Sequence, residues 1–125
     1  MGHSYKDLIA WQKARKLAAE VYRVTQDFPV KEMYGLTAQL RRAAISVVSN
    51  IAEGQGRLTK GEFIHFLGQA RGSLLEVETQ LFVAFDLGYL SEADLKRMER
   101  ETGDVLGLVN RLIASLRARA AGAET

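Results

Sequence analysis

Ten consecutive residues, Ala43 to Ala52, carry no charge. Their apolar positions step by three and four: Leu36, Leu40, Ala43, Val47 and Ile51 make one row, and Ile45, Val48 and Ala52 a second. That period belongs to a helix. A helix with no charged side across about three turns reads as buried nearly all round. In an isolated four-helix bundle each helix keeps one side in water. The simplest cover for the remaining side is a second subunit, because no loop or tail in the chain is long enough to do it. The segment therefore predicts a homo-oligomer.

The rest of the chain supplies three more helices. Helix 1 starts near Ser4, whose spacing to Asp7 suits a hydroxyl cap. Leu8, Trp11, Ala14, Ala18, Val21, Tyr22 and Thr25 share one face, while Lys6, Lys13, Lys16 and Arg23 line the other, interrupted by Glu20. Asp27-Phe28-Pro29 stops it, since proline disfavours helical geometry in the preceding residue. Helix 2 begins between Pro29 and Gly35 and runs to about Glu53, where Gly54-Gln55-Gly56 offers a left-handed stop. Helix 3 follows the capping-box spacing Thr59 to Glu62. Its core row is Phe63, Phe66, Leu67, Ala70, Leu74, Val77, Leu81 and Phe85, ending around Leu87-Gly88. Ser91 with Asp94 caps helix 4, where Leu95, Met98, Thr102, Val105, Val109, Leu112 and Leu116 form a heptad seam. Ala120 to Thr125 reads as a frayed tail. No period-two alternation occurs. The expected fold is all-α, an antiparallel up-and-down four-helix bundle, as one domain over 1–125 with an ordered core of about 4–118.

Composition narrows the chemistry. The 125 residues include no cysteine, which excludes disulfides, thiolate metal sites and cysteine nucleophiles. No apolar run approaches a membrane span, and the N-terminus lacks the pattern of a signal peptide. A cytoplasmic protein without membrane association is expected. The net charge is only +2, but residues 1–60 carry ten basic and five acidic side chains against seven and ten in the remainder. Such asymmetry can orient self-association or attract an anion.

Two polar stripes stand out. Gln39, Arg42, Ser46, Asn50 and Glu53 lie along helix 2, and Gln69, Ser73, Glu76 and Gln80 along helix 3. Buried polar atoms need partners, so the stripes face each other or a neighbouring subunit, with pairs such as Arg42 and Glu76 or Glu78 fixing register. A polar pocket or channel is the alternative. Glu62-Phe63-Ile64-His65 is the only Glu-x-x-His spacing, and His3 sits in the tail, so no metal site or cofactor is expected. Gly54-Gln55-Gly56-Arg57 follows a helix and lacks the ending of a phosphate loop. Close backbone approach would explain the pairs Gly68 with Gly72 and Gly103 with Gly107. No nucleophile–base arrangement is present, so no catalytic residue is expected. Trp11, Tyr22 and Tyr34 read as packing residues. The cations of helix 1 are ordinarily a solvated face, but an oligomer would multiply them into a belt able to sum many weak phosphate contacts.

An ordered series of residues resembles one family. It comprises Trp11-Gln12, Ala14, Phe28-Pro29, Tyr34-Gly35-Leu36-Thr37 and Gln39-Leu40-Arg41-Arg42-Ala43. It continues with Ser46, Ser49-Asn50-Ile51-Ala52-Glu53-Gly54, Arg57, Phe63, Phe66-Leu67, Ala70, Gly72-Ser73-Leu74 and Glu76 to Leu81. The series is similar to the bacterial four-helix-bundle proteins encoded in intervening sequences of large-subunit rRNA genes, often labelled ribosomal-protein-like. It covers about Ser4 to Leu116. Val47-Val48 stands where Ile-Pro is commoner, which predicts a straighter helix 2. The resemblance implies a homopentamer around a central channel. It also implies kinship with the accessory variability protein of diversity-generating retroelements, a basic pentamer that associates with a reverse transcriptase and nucleic acid. The expectation is thus a non-enzymatic homopentamer acting as an RNA- or DNA-associated adaptor. Lys6, Lys13, Lys16 and Arg23 would contact phosphates, while Arg41, Arg42, Ser46, Asn50, Glu53 and Glu76 organise the bundle or its interface. The alternative is a scaffold whose partner is another protein.

Overall fold

The computed structural model describes residues 4–124, with side chains as far as residue 119. Residues 1–3, and with them the expected tail position of His3, lie outside the described residues, as does Thr125. Four helices follow in order: α1 (Ile9–Thr25), α2 (Leu36–Gln55), α3 (Lys60–Asp86) and α4 (Glu92–Glu124). Each packs against two others, α1 closing the ring onto α4, and α2 with α3 forms the most extensive interface. Short connections force consecutive helices to run antiparallel. The result is the up-and-down bundle read from the sequence.

The core is aliphatic. Leu17, Val21, Leu40, Val47, Ile51, Leu67, Leu74, Val77, Leu81, Met98, Val105 and Val109 are almost wholly buried. The heptad residues of α4 are buried as expected, with Leu112 only partly so. The inner face of α1 lies slightly rotated from its sequence pattern. Ala10 and Leu17 join the core, whereas Tyr22 remains 42% exposed.

Three boundaries differ from expectation, each for a local reason. The Ser4 hydroxyl accepts from the Lys6 N–H at 3.2 Å and closes a separate 3₁₀ turn, Tyr5–Asp7. Leu8 is then extended, so α1 begins at Ile9 without a side-chain cap. A second 3₁₀ turn, Val30–Glu32, delays α2 to Leu36, and the Glu32 carboxylate accepts from the Leu36 N–H at 3.2 Å. At the far end of α2, Gly54 continues the helix and Gly56 closes it at φ −80, not in the left-handed region. Gly54 serves packing instead: a Cβ there would lie 2.9 Å from both Phe63 Cδ1 and Phe66 Cβ. The α4 helix continues to Glu124, past the point where fraying was expected.

The other termini follow the sequence. Thr59 accepts from the Glu62 N–H at 3.1 Å and Ser91 from the Asp94 N–H at 3.1 Å. Gly88, at φ 80, ends α3 with Tyr89 N–H to Ala84 O and Gly88 N–H to Phe85 O, both at 2.9 Å. That pair of bonds is a Schellman motif.

A Cβ added at Gly68, Gly72 or Gly103 would meet nothing within 4 Å, and one at Gly107 would meet only the Arg111 side chain. Close backbone approach within the chain therefore does not explain these glycines; their faces point away from the core.

Candidate nucleic-acid interface

The four cations expected to contact phosphates do not share one surface. Two grooves run along α1, one on either side of Lys16. One groove is lined by Lys13, Lys16 and Arg23, but also by Glu20, Glu101 and Asp104. Arg23 is committed there, pairing with Glu20 at 2.8 Å. Glu20 also pairs with Arg97 at 3.2 Å, and Arg97 reaches Asp94 at 3.5 Å and Glu101 at 3.7 Å. Burial pulls the Arg97 guanidinium down, but Glu20, Glu101 and Asp94 outweigh it and hold its pKa above the ordinary value. This side of α1 is a mixed-charge network tying α1 to α4.

The other groove is lined by Lys6, Trp11, Gln12, Arg15, Lys16 and Ala19, with no acid among them. Arg15, which the sequence pattern did not single out, places its guanidinium 5.7 Å from the centre of the Trp11 ring. Its signal was the four-residue step from Trp11, which puts the two on one helix face. Tyr5 meets Trp11 edge to face at 5.2 Å, and the Lys6 ammonium lies 6.0 Å from the Tyr5 ring. Trp11 is half-buried and packs against the core, in keeping with its expected packing role. Tyr34 does not share that role: it is 94% exposed on the α1–α2 connection.

The polar stripes of α2 and α3 do face each other. Ser46 and Ser73 hydroxyls lie 2.8 Å apart, and Asn50 Nδ2 donates to Ser46 Oγ at 3.0 Å and to Ser46 O at 2.8 Å. Gln39, Arg42, Glu76 and Gln80 complete the wall of this cleft. Gln80 Oε1 is buried there without a hydrogen-bond partner. The expected pairing of Arg42 with Glu76 or Glu78 does not form. The ion pairs of the described residues involve Arg23, Lys96 and Arg97, while Arg42, Glu53 and Glu76 are exposed to solvent.

Arg41 organises the bundle within one chain. Its Nε donates to Thr25 Oγ1 at 2.8 Å and its NH2 to Tyr22 O at 3.3 Å, with the guanidinium 4.6 Å from the Tyr22 ring. A cation thereby meets the Tyr22 carbonyl in the last turn of α1, which also accepts from the Thr25 hydroxyl at 3.2 Å.

His65 contacts Gln69 at 3.0 Å and the edge of Phe66. Among the described residues no three His, Asp or Glu side chains gather as metal ligands. No helix among them is long and apolar enough to cross a membrane.

The pattern of the family described as 23S rRNA-intervening sequence protein matches residues 6–111. A crystal structure of a protein of unknown function from the S23 ribosomal protein family of Bacteroides thetaiotaomicron superposes with a TM-score of 0.80. The two are 18% identical, over 87% of this chain and 98% of that one. None of the curated proteins matches the chain.

Proposed function

Because the chain belongs to the 23S rRNA-intervening sequence protein family, we propose that it works as a non-enzymatic homo-oligomer, a pentamer, that associates with RNA or DNA as an adaptor in the cytoplasm. One observation carries the assembly. The outer side of α2 and α3 exposes Ile45 (45%), Leu75 (40%) and Phe82 (41%) in a single chain. Ile45 lies within the charge-free stretch of α2. Large apolar side chains left this exposed on one side of a helix pair support an interaction site there. The cleft beside it, with its orphaned Gln80 oxygen, would gain a donor from a neighbouring subunit.

The acid-free groove of α1 supports the polyanion reading. Lys6, Arg15 and Lys16 would contribute there in each copy, and assembly would sum their contacts. Lys13 and Arg23 would contribute less, because of these two grooves they line only the one that also holds Glu20, Glu101 and Asp104, whereas Lys16 borders both.

Mass in solution with absorbance at 260 nm tests both parts. The expected result is a pentamer of the 13.9 kDa chain whose affinity for mixed RNA falls steeply with salt. Lys6→Glu with Lys16→Glu should abolish that binding. A stable monomer at micromolar concentration, or no RNA binding at low salt, would overturn the respective part.

A protein scaffold is the second reading. Val30 (81% exposed), Met33 (52%) and Tyr34 (94%) favour it. They stand on a connection made rigid by Glu32, which accepts from both Leu36 N–H and Tyr89 O–H. A partner protein that co-purifies without 260 nm absorbance would support it.

A further inference from the structure

We propose that the groove along the first half of α1 seats an unpaired, single-stranded stretch of nucleic acid, one base stacking on Trp11 and its flanking phosphates meeting Lys6, Arg15 and Lys16. The inference rests on the nucleic-acid reading above and narrows it from polyanion to strand type. A groove that met only a duplex would need only cations, since paired bases hide their faces. This one sets an indole among three cations and no acid.

The parts are held in place. Gln12 Nε2 donates to the Lys6 carbonyl at 2.9 Å, pinning the N-terminal turn onto α1 and Tyr5 against Trp11. The Arg15 guanidinium already lies 5.7 Å from the centre of the indole, within cation–π range. Its contact is an exposed one to a ring and not to a carboxylate, so it can be exchanged for a phosphate as a base takes its place. Aromatic faces accept any base, so strand type and not sequence is what the groove distinguishes. An anionic membrane would also attract cations beside a tryptophan. Here the indole is packed against the bundle core and is not free to leave it and insert.

Trp11 is the single tryptophan of the chain, so its fluorescence reports the groove directly. The experiment titrates the intact protein at low salt with short oligouridine, with an RNA duplex of equal length, with polyglutamate and with phosphatidylglycerol vesicles. Oligouridine should quench the fluorescence, and the duplex should bind without quenching. Trp11→Ala should lower oligouridine affinity about tenfold, with Trp11→Phe retaining most of it. Arg15→Gln, on the exposed side of the helix, should weaken binding and reduce the salt slope by about one even if the tryptophan variant folds poorly. Oligouridine binding with unchanged fluorescence, or equal quenching by the duplex, would overturn the stacking while leaving the phosphate contacts standing. Matching signals from polyglutamate or vesicles would overturn nucleic acid as the ligand of this groove. Failure of every RNA to bind would take down this inference and the broader reading together.

Discussion

A methyl group on Gly54 would press into Phe63 and Phe66 at 2.9 Å, in the seam between α2 and α3. Gly54→Ala should therefore destabilise the protein by about 1–3 kcal/mol, although alanine is the better helix former by about 1 kcal/mol. Urea denaturation checks the sign. Gly68→Ala and Gly72→Ala meet open space and should each stabilise the single chain by about 0.5–1 kcal/mol. The sequence suggested the opposite roles for these glycines. Their contacts depend on how helices meet, which local spacing does not encode. Tyr89 gives a residue-scale pH test. Its phenol donates to Glu32 at 3.0 Å. That hydrogen bond, then burial, then the Glu32 charge raise its pKa above the ordinary 10.0. The folded chain thus holds the phenolic proton to higher pH than the unfolded chain. The resulting stability is intact below the unfolded value and is lost as pH rises through the folded one. Urea midpoints should fall above about pH 10, and Tyr89→Phe should flatten that fall.

At the scale of elements, α1 and α2 are locked at their corner by one side chain. Arg41 bridges Thr25 and the Tyr22 carbonyl, so Arg41→Ala should cost about 1–3 kcal/mol, as for hydrogen bonds made by a charged group. Lysine should restore little, since it lacks the planar fork that reaches both acceptors and the Tyr22 ring. Thermal unfolding of the two variants makes the comparison. Element ends written in side-chain hydroxyls and glycine were legible: Thr59, Ser91 and Gly88 lie where their types demand. The start of α1 was not, because Ser4 caps a separate short turn and the chain straightens at Leu8. That the polar stripes meet was legible from their common spacing, but the pairing was not: Ser46 meets Ser73 and Arg42 finds neither Glu76 nor Glu78. The acids beside the cationic stripe were not legible, since Glu101 and Asp104 come from α4, remote in sequence, and only the closed bundle puts them beside Lys13.

At the scale of the whole molecule, the proposed assembly rests on the exposed side of α2 and α3. Ile45→Asp with Leu75→Asp should leave the helical circular dichroism unchanged and shift the light-scattering mass toward the monomer. The core should respond little, because both side chains lie outside it and are partly exposed in the single chain. The fold class was legible throughout, since apolar period and short connections leave few other arrangements. The assembly number is not written in any single helix. The chain order has one more consequence. The most extensive helix contact lies between segments joined by residues 56–59 alone, so the entropy of closing that hairpin is small. The α2–α3 hairpin should be the folding nucleus, with α1 and α4 condensing onto it afterwards, and refolding should be fast for a chain of this size. The residue that lets the hairpin close, Gly54, would then govern the folding rate as well as stability.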